Sequence, residues 1–169
     1  MIILDASILI AHLETGDSHH ARATGLLLDH CDEDFAASAV TLAEILVGAI
    51  RAGRGEHARD ALAELQVQAI GLDAGAGWDL AQLRVRTGLK LPDCCVLYVA
   101  RIHAPAKVAT FDTRLAAGAA SDPLLPGLRK KVQSPAREKR EAAADPKNEA
   151  SKHRPDLRKM ALSCQLPQA

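Results

Sequence analysis

Short apolar segments alternate with stretches of helical periodicity over the first two thirds of the chain. The run Ile2-Ile3-Leu4 stops at Asp5, and an apolar run this short predicts a strand covered on both faces, as in a parallel sheet. Segments 35–38, 67–71 and 107–111 are predicted as further short strands, the middle one from its alternating pattern. We therefore expect four strands, with Asp5 just past the end of the first.

The segments between these strands carry apolar residues at helical spacing. Leu42, Ile45 and Ala49 form one such stripe. Ser18 is the expected cap of the second helix, and Pro92 favours a helix start at Leu91. The alternation of helices and strands predicts an α/β fold, a three-layer α/β/α sandwich around a mostly parallel sheet. The predicted helices cover residues 6–13, 19–31, 39–53, 56–65, 78–87 and 91–103.

Charge divides the chain at residue 128. Residues 1–128 carry 10 Lys and Arg against 16 Asp and Glu, a net charge of −6, whereas residues 129–169 carry 11 against 5, a net charge of +6. Residues 129–158 contain no aromatic residue and few branched aliphatics, so this segment buries too little apolar surface to offset the entropy of ordering. We expect one folded domain over 1–128 and a disordered basic tail over 129–169. A sequence-blind RNA-binding arm is the weaker alternative for the tail.

The four cysteines and the amino-terminal segment indicate a cytoplasmic protein. Cys31, Cys94, Cys95 and Cys164 lack C-x-x-C spacing and the density of a disulfide scaffold, and buried thiols are favoured over a redox pair at Cys94-Cys95. No basic segment precedes Ile2, and Asp5 interrupts the apolar run, which argues against a signal peptide and a membrane span.

Four acids stand where the predicted sheet could bring them together. Asp5 and Asp112 follow predicted strands, Glu44 lies within a helix between apolar neighbours, and Asp93 lies at a helix start. Residues beyond the carboxyl ends of parallel strands line the ligand crevice of an open α/β sheet. The alternatives are helix capping by Asp5, a solvent-exposed position for Glu44, a complement to the helix dipole at Asp93 and a turn or cap position for Asp112.

Convergence of these acids would require a counter-charge. Two like charges about 4 Å apart repel by roughly 4 kcal/mol at an effective dielectric of 20, so they must be protonated or bridged by a cation. Carboxylate and water ligands favour Mg²⁺ or Mn²⁺, and such ions activate water to hydrolyse phosphodiesters, singly or in pairs. A histidine metal cluster of His12, His19 and His20 is the less favoured alternative.

At this point the sequence resembles the PIN-domain nucleases, in particular the toxin subunits of VapBC-type toxin and antitoxin pairs. The resemblance rests on Ile3-Leu4-Asp5-Ala6-Ser7, on residues 41–48, on Leu91-Pro92-Asp93 and on residues 109–115, in that order. It implies a Mg²⁺- or Mn²⁺-dependent endoribonuclease that forms a homodimer and is held inactive by a cognate antitoxin. It also implies a metal site made of Asp5, Glu44, Asp93 and the more variable Asp112, with Ser7 and Thr110 as supporting hydroxyls.

Two other functions remain open on the sequence. A PIN-like module that binds RNA or protein without catalysis would keep the same pattern, and an aspartate-based phosphotransfer enzyme would also place an acid after the first strand. A phosphatase of the second kind would carry an aspartate two positions after Asp5, where Ser7 stands. Because the body is acidic, binding of RNA needs a local basic rim. The residues predicted for that rim are Arg51, Arg54, Arg84, Arg86, Lys90 and Arg114.

Overall fold

The computed structural model describes residues 1–123 and 125, and its centre is a parallel sheet of four short strands. The strands lie in the order β3-β2-β1-β4 and every pairing between them is parallel. The strands are β1 (Ile2–Leu4), β2 (Phe35–Ser38), β3 (Gln68–Ile70) and β4 (Lys107–Ala109). The chain's first strand thus lies between the second strand and the last one, and Asp5 follows it at the middle of the sheet.

Helices connect the strands and cover the sheet on both faces. Within the described part of the chain they are α1 (Ala6–Leu13), α2 (His20–Asp29), α3 (Ala39–Arg51), α4 (Gly55–Glu64), α5 (Ala76–Thr87), α6 (Leu91–Ile102) and α7 (Thr113–Ser121). None of these helices is long and apolar enough to cross a membrane.

Successive residues of β1 enter two separate hydrophobic cores. Ile2 and Leu4 pack with residues of α1, α2, α3 and α4, whereas Ile3 packs with residues of α5, α6 and α7. Side chains of a strand alternate between the two faces of its sheet, so a strand that is apolar throughout must be covered twice. The predicted three-layer α/β/α fold is confirmed.

Several boundaries differ from those predicted. Ser18 does not cap α2, which begins after His19, and Asp17 Oδ1 accepts from His19 N at 2.7 Å instead. Strand β4 ends at Ala109, so Thr110, and not Asp112, directly follows it. Helix α7 was not predicted at all. The predicted disordered tail over residues 129–169 lies outside the described residues.

The cysteines agree in part with expectation. Cys94 and Cys95 are buried in α6, and burial raises the pKa of both thiols. Cys31 is exposed. A raised pKa keeps Cys94 and Cys95 as neutral thiols that fill the core, since the thiolate is the reactive form of cysteine.

Candidate active site

Asp5 both caps a helix and presents a carboxylate at the carboxyl end of β1. It is the N-cap of α1, and it is 8% exposed. Its Oδ2 atom accepts hydrogen bonds from Ser7 N at 3.3 Å, from Ser7 Oγ at 2.6 Å and from Thr110 Oγ1 at 2.8 Å. All three donors converge on one oxygen, which leaves Oδ1 as the atom that can face a ligand.

The two hydroxyls that contact Asp5 are themselves held by the backbone that follows β4. Ser7 Oγ accepts from Phe111 N at 3.0 Å, and Thr110 Oγ1 accepts from Asp112 N at 2.9 Å. Each hydroxyl directs its proton at Asp5 Oδ2, because the carboxylate oxygen can only accept a hydrogen bond, and each hydroxyl uses a lone pair to accept from the main-chain N–H. A backbone hydrogen bond from Asp5 N to Ala109 O, at 3.0 Å, completes this junction between the ends of β1 and β4.

Asp112 lies just beyond this junction and caps α7. Its Oδ1 accepts from Arg114 N at 2.7 Å and from Leu115 N at 3.1 Å. The side chain is exposed. Capping by a carboxylate satisfies the free N–H groups of the first turn, and it fixes the direction in which Asp112 enters the site.

Glu44 and Asp93 lie on two helices that pack against opposite faces of the sheet. Glu44 lies in α3, whose N-cap Ser38 accepts from Thr41 N at 3.0 Å. Asp93 lies in the first turn of α6 and accepts from Lys90 N at 3.3 Å. Glu44 thus lies in the second turn of α3, which directly follows β2, whereas Asp93 lies in the first turn of α6, which follows a short loop.

Electrostatic coupling joins the four acids into one cluster. Partial burial raises the pKa of Glu44, the negative charges of Asp5 and Asp93 raise it further, and Lys90 lowers it. Burial also raises the pKa of Asp93; the N–H of Lys90 opposes this shift, and the charges of Asp5 and Asp112 add to it. The charges of Asp5, Asp93 and Asp112 thus act on the pKa of Glu44 or of Asp93, and a metal site made of the four acids stays a prediction.

The donor set fits a hard divalent cation in its chemistry. It consists of carboxylates supported by hydroxyls, and oxygen ligands of this kind suit Mg²⁺ or Mn²⁺. Among residues 1–123 and 125, no three His, Cys, Asp or Glu side chains already stand in an arrangement that holds a metal. An ion would draw the acids closer and relieve the repulsion between them.

The histidines singled out in the sequence do not form a metal site. His12 Nδ1 contacts Thr24 Oγ1 at 2.9 Å, His20 Nδ1 contacts Ala11 O at 3.0 Å, and the two rings stack with centroids 6.2 Å apart. His19 packs its ring on Phe111, 4.9 Å between centroids. These contacts are structural and join α2 to α1 and to the segment after β4.

The predicted basic rim divides into two groups. Arg54 forms a bidentate pair with Glu14, with Nη1–Oε2 at 3.1 Å and Nη2–Oε1 at 2.9 Å, and Arg84 Nη1 donates to Leu89 O at 2.8 Å. These two guanidinium groups have structural partners. Arg51 ends α3 and is exposed.

The other three rim residues lie near the acids or beside a cleft. Lys90 acts electrostatically on both Glu44 and Asp93. Arg86 and Arg114 line a cleft between α5 and α7. Asp122 lines the same cleft but was not among the predicted site residues. It follows a helix that was not predicted, so its neighbours in the sequence gave no sign that it is buried.

Comparison with known proteins supports the assignment of the fold. The sequence model of the PIN domain matches residues 2–120. No curated protein matches the sequence. Among solved structures, a toxin-antitoxin complex from Klebsiella pneumoniae has a chain with 24% identity and a TM-score of 0.59, covering 78% of this chain and 100% of its own.

A second solved structure has the same fold. VapC20 from Mycobacterium tuberculosis, described as a sarcin-ricin loop cleaving toxin, has 21% identity and a TM-score of 0.58 and covers 69% of this chain and 94% of its own. At these identities the structural likeness shows the fold alone, whereas the sequence match spans most of the folded region. The chain belongs to the PIN domain family.

Proposed function

We propose that this protein is a Mg²⁺- or Mn²⁺-dependent endoribonuclease and the toxin of a toxin-antitoxin pair. The observation that carries the proposal is the Asp5 carboxylate, which two hydroxyls hold through Oδ2 within a cluster of mutually repelling acids. Membership of the PIN family supports nuclease chemistry. The titles of the two similar structures, a toxin-antitoxin complex and an RNA-cleaving toxin, support the biological role.

Asp5, Glu44, Asp93 and Asp112 are the proposed metal ligands. When bound, the ion supplies an activated water and stabilises the charge that develops on the phosphate oxygens. Ser7 and Thr110 keep Asp5 oriented, because both hydroxyls donate a hydrogen bond to its Oδ2 atom. Burial and the charges of Asp5 and Asp93 raise the pKa of Glu44 in the metal-free protein, and a bound cation would lower it again.

Partners and location complete the proposal. We place the protein in the cytoplasm, as a homodimer that a cognate antitoxin inhibits. Trp78 and Val85 support a protein contact, because they lie two turns apart on α5 and are 72% and 88% exposed. Exposed apolar surface of this kind marks interaction sites.

The decisive experiment compares isosteric variants in an RNA cleavage assay. Wild-type protein is incubated with a transfer RNA, a ribosomal RNA fragment and a messenger transcript, with Mg²⁺, with Mn²⁺ or with EDTA. We expect cleavage that requires metal, and we expect Asp5→Asn and Asp93→Asn to abolish it. Asp60→Asn is the matched control, since Asp60 is an exposed acid of α4 that pairs with Arg59.

Two results would count against the proposal. Full activity of both Asp5→Asn and Asp93→Asn would remove the acids from the chemistry. Absence of cleavage by the wild-type protein, together with no Mn²⁺ binding at millimolar concentration by calorimetry, would favour a PIN-like binding module. Circular dichroism of each variant confirms that the fold is retained.

A further inference from the structure

A cleft of about 590 Å³ lies between the end of α5 and α7. Gly88, with φ of 67°, ends α5 in the left-handed conformation and turns the chain into Leu89 and Lys90. The cleft is therefore bounded on one side by this turn and on the other by the outer face of α7. The lining of the cleft includes Arg86, Thr87, Leu89, Arg114, Gly118 and Ser121.

Positive charge is in excess in this cleft. Asp122 is its one acid among the lining residues, and the side chain is 1% exposed. Arg101 donates to Asp122 Oδ2 from Nε at 2.8 Å and lies within 2.7 Å of it through Nη2, whereas Arg86 Nη2 is 3.5 Å away. Because Arg101 and Arg86 share the single charge of Asp122, the three side chains keep one positive charge in excess, and the half-exposed Arg86 presents it to the cleft.

Arg114 contributes a second charge from the opposite side. Its side chain is exposed, and its Nη2 makes a long contact of 3.5 Å with Gly88 O. The two guanidinium groups belong to different helices, so they approach the cleft from both walls. Guanidinium groups present several donors in a plane that matches phosphate oxygens.

The cleft leads to the acid cluster. Arg114 N donates to Asp112 Oδ1 at 2.7 Å, so Arg114 lies within the turn that the acid caps. On the other wall, Lys90 follows Leu89 directly and acts electrostatically on Glu44 and Asp93. A strand whose phosphate is held in the cleft would have its neighbouring phosphates close to the acids.

The lining selects for charge and not for base identity. Thr87 Oγ1 donates to Leu83 O at 2.7 Å, and Ser121 Oγ donates to Gly118 O at 3.0 Å, so both hydroxyl protons are occupied by main-chain carbonyls. Leu89 and Gly118 form an apolar floor, and a Cβ at residue 118 would lie 2.9 Å from Leu89 Cδ1. No Asn or Gln, the side chains that pair with adenine edges, belongs to this lining, so the two guanidinium groups are its main donors to a bound strand.

We infer that the cleft between α5 and α7 is a subsite for a backbone phosphate of the RNA strand, adjacent to the bond that is cut, with Arg86 and Arg114 as its ligands. The inference rests on the proposed function, and it names the part of the substrate that this surface holds. Binding at such a subsite is independent of sequence and weakens with salt, because each phosphate contact releases condensed counterions.

The test measures RNA binding separately from cleavage. Arg86→Ala and Arg114→Ala are made in the Asp5→Asn background, and the Kd for a fluorescent single-stranded RNA is measured in Mg²⁺ by anisotropy, at several salt concentrations and for uridine-rich and adenosine-rich sequences. Arg59→Ala is the matched control, because Arg59 is an exposed arginine of α4 that pairs with Glu56 and Asp60.

We expect each cleft variant to raise the Kd roughly fivefold at 0.1 M salt for both RNAs and to lower the slope of log Kd against log salt by about 0.7. Arg86→Lys and Arg114→Lys should restore most of the affinity, and Arg59→Ala should change nothing. Unchanged binding in both alanine variants, or an effect confined to one RNA sequence, overturns the inference. Parallel assays with protein that retains Asp5 separate the two claims, since failure of that protein to cleave any RNA counts against the proposed function alone.

Discussion

Thr110 Oγ1 donates a hydrogen bond of 2.8 Å to Asp5 Oδ2, although the two residues are 105 positions apart in the sequence. The pairing of β1 with β4 sets this contact, because Leu4 and Ala109 are register partners and each precedes one of the two polar residues. A hydroxyl from the last strand thus orients the carboxylate that follows the first strand.

Replacement of Thr110 by valine tests this relationship. Thr110→Val keeps the shape but removes one donor from Asp5 Oδ2 and the acceptor of Asp112 N, so we expect the free energy of unfolding to fall by about 1–3 kcal/mol. RNA cleavage should fall as well, and calorimetry should show weaker Mn²⁺ binding, because Asp5 loses its orientation. Urea unfolding and single-turnover cleavage measure the two effects.

Thr110→Ser is the matched control, since it retains the hydroxyl and its two hydrogen bonds. A valine variant as stable and as active as the serine variant would contradict a positioning role for Thr110. Loss of stability with unchanged Mn²⁺ affinity would limit Thr110 to a structural role.

Glu44→Gln should stabilise the metal-free protein at neutral pH. The folded pKa of Glu44 is raised above its ordinary value of 4.5 by burial and by Asp5 and Asp93. The folded state therefore keeps this proton longer than the unfolded state, and stability is lost as the pH rises from below 4.5 through the folded pKa. The melting temperature of Glu44→Gln in EDTA should exceed that of wild type at pH 7, and the difference should shrink toward pH 4.

Added Mn²⁺ should reverse this order, because an ion bound to the native state stabilises it by mass action. Glu56→Gln, at an exposed glutamate of α4, should show neither effect. A Glu44→Gln protein that melts below wild type at pH 7 in EDTA would refute the proposed repulsion.

His12 should make the protein sensitive to mild acid. Burial, with a smaller effect from His20, lowers the pKa of His12 from 6.5 to about 4. Below pH 6.5 His12 therefore binds a proton in the unfolded chain but not in the folded chain. The contribution of His12 to the free energy of unfolding is present above pH 6.5 and is lost as the pH falls toward 4. Between pH 7 and pH 5 this loss amounts to about 2 kcal/mol.

His12→Gln removes the titrating group, and its urea-derived stability should depend less on pH than that of wild type. His30→Gln is the control, because the His30 side chain is 41% exposed and contacts Glu33. Equal pH dependence of wild type and His12→Gln would show that the pKa of His12 is not lowered in the folded state. His12 Nε2 has no hydrogen-bond partner among the described residues, which makes protonation of His12 in the folded state costly.

The four strands and the elements that carry the acids could be predicted from local patterns. A short apolar run ending in an acid indicates a strand end at Asp5, and Pro92 marks the start of α6. Helix α7 was missed because its buried residues are only Leu115 and Ala119, too few large apolar side chains to give a stripe of helical period. Helix α5 begins two residues before its predicted start at Trp78, since Asp73 Oδ1 accepts from Gly75 N at 2.8 Å and sets up the turn.

The contacts that complete the site depend on register and could not be predicted. The donation from Thr110 to Asp5 requires β1 to lie beside β4, and several strand orders fit the same pattern of elements. The cleft beside α7 depends on a helix that was not predicted and on the buried pairing of Asp122 with Arg101. Tertiary geometry of this kind has no signature in neighbouring residues.

The bond between Thr110 and Asp5 also determines when the site can exist during synthesis. A ribosome adds Thr110 to the chain 105 residues after Asp5, once three further strands and six helices have been made. A nascent chain that lacks β4 has its first acid without the hydroxyl that orients it and without Asp112. The site therefore forms only after the whole domain has left the exit tunnel, and a partly translated copy carries no assembled acid cluster beside the ribosome that makes it.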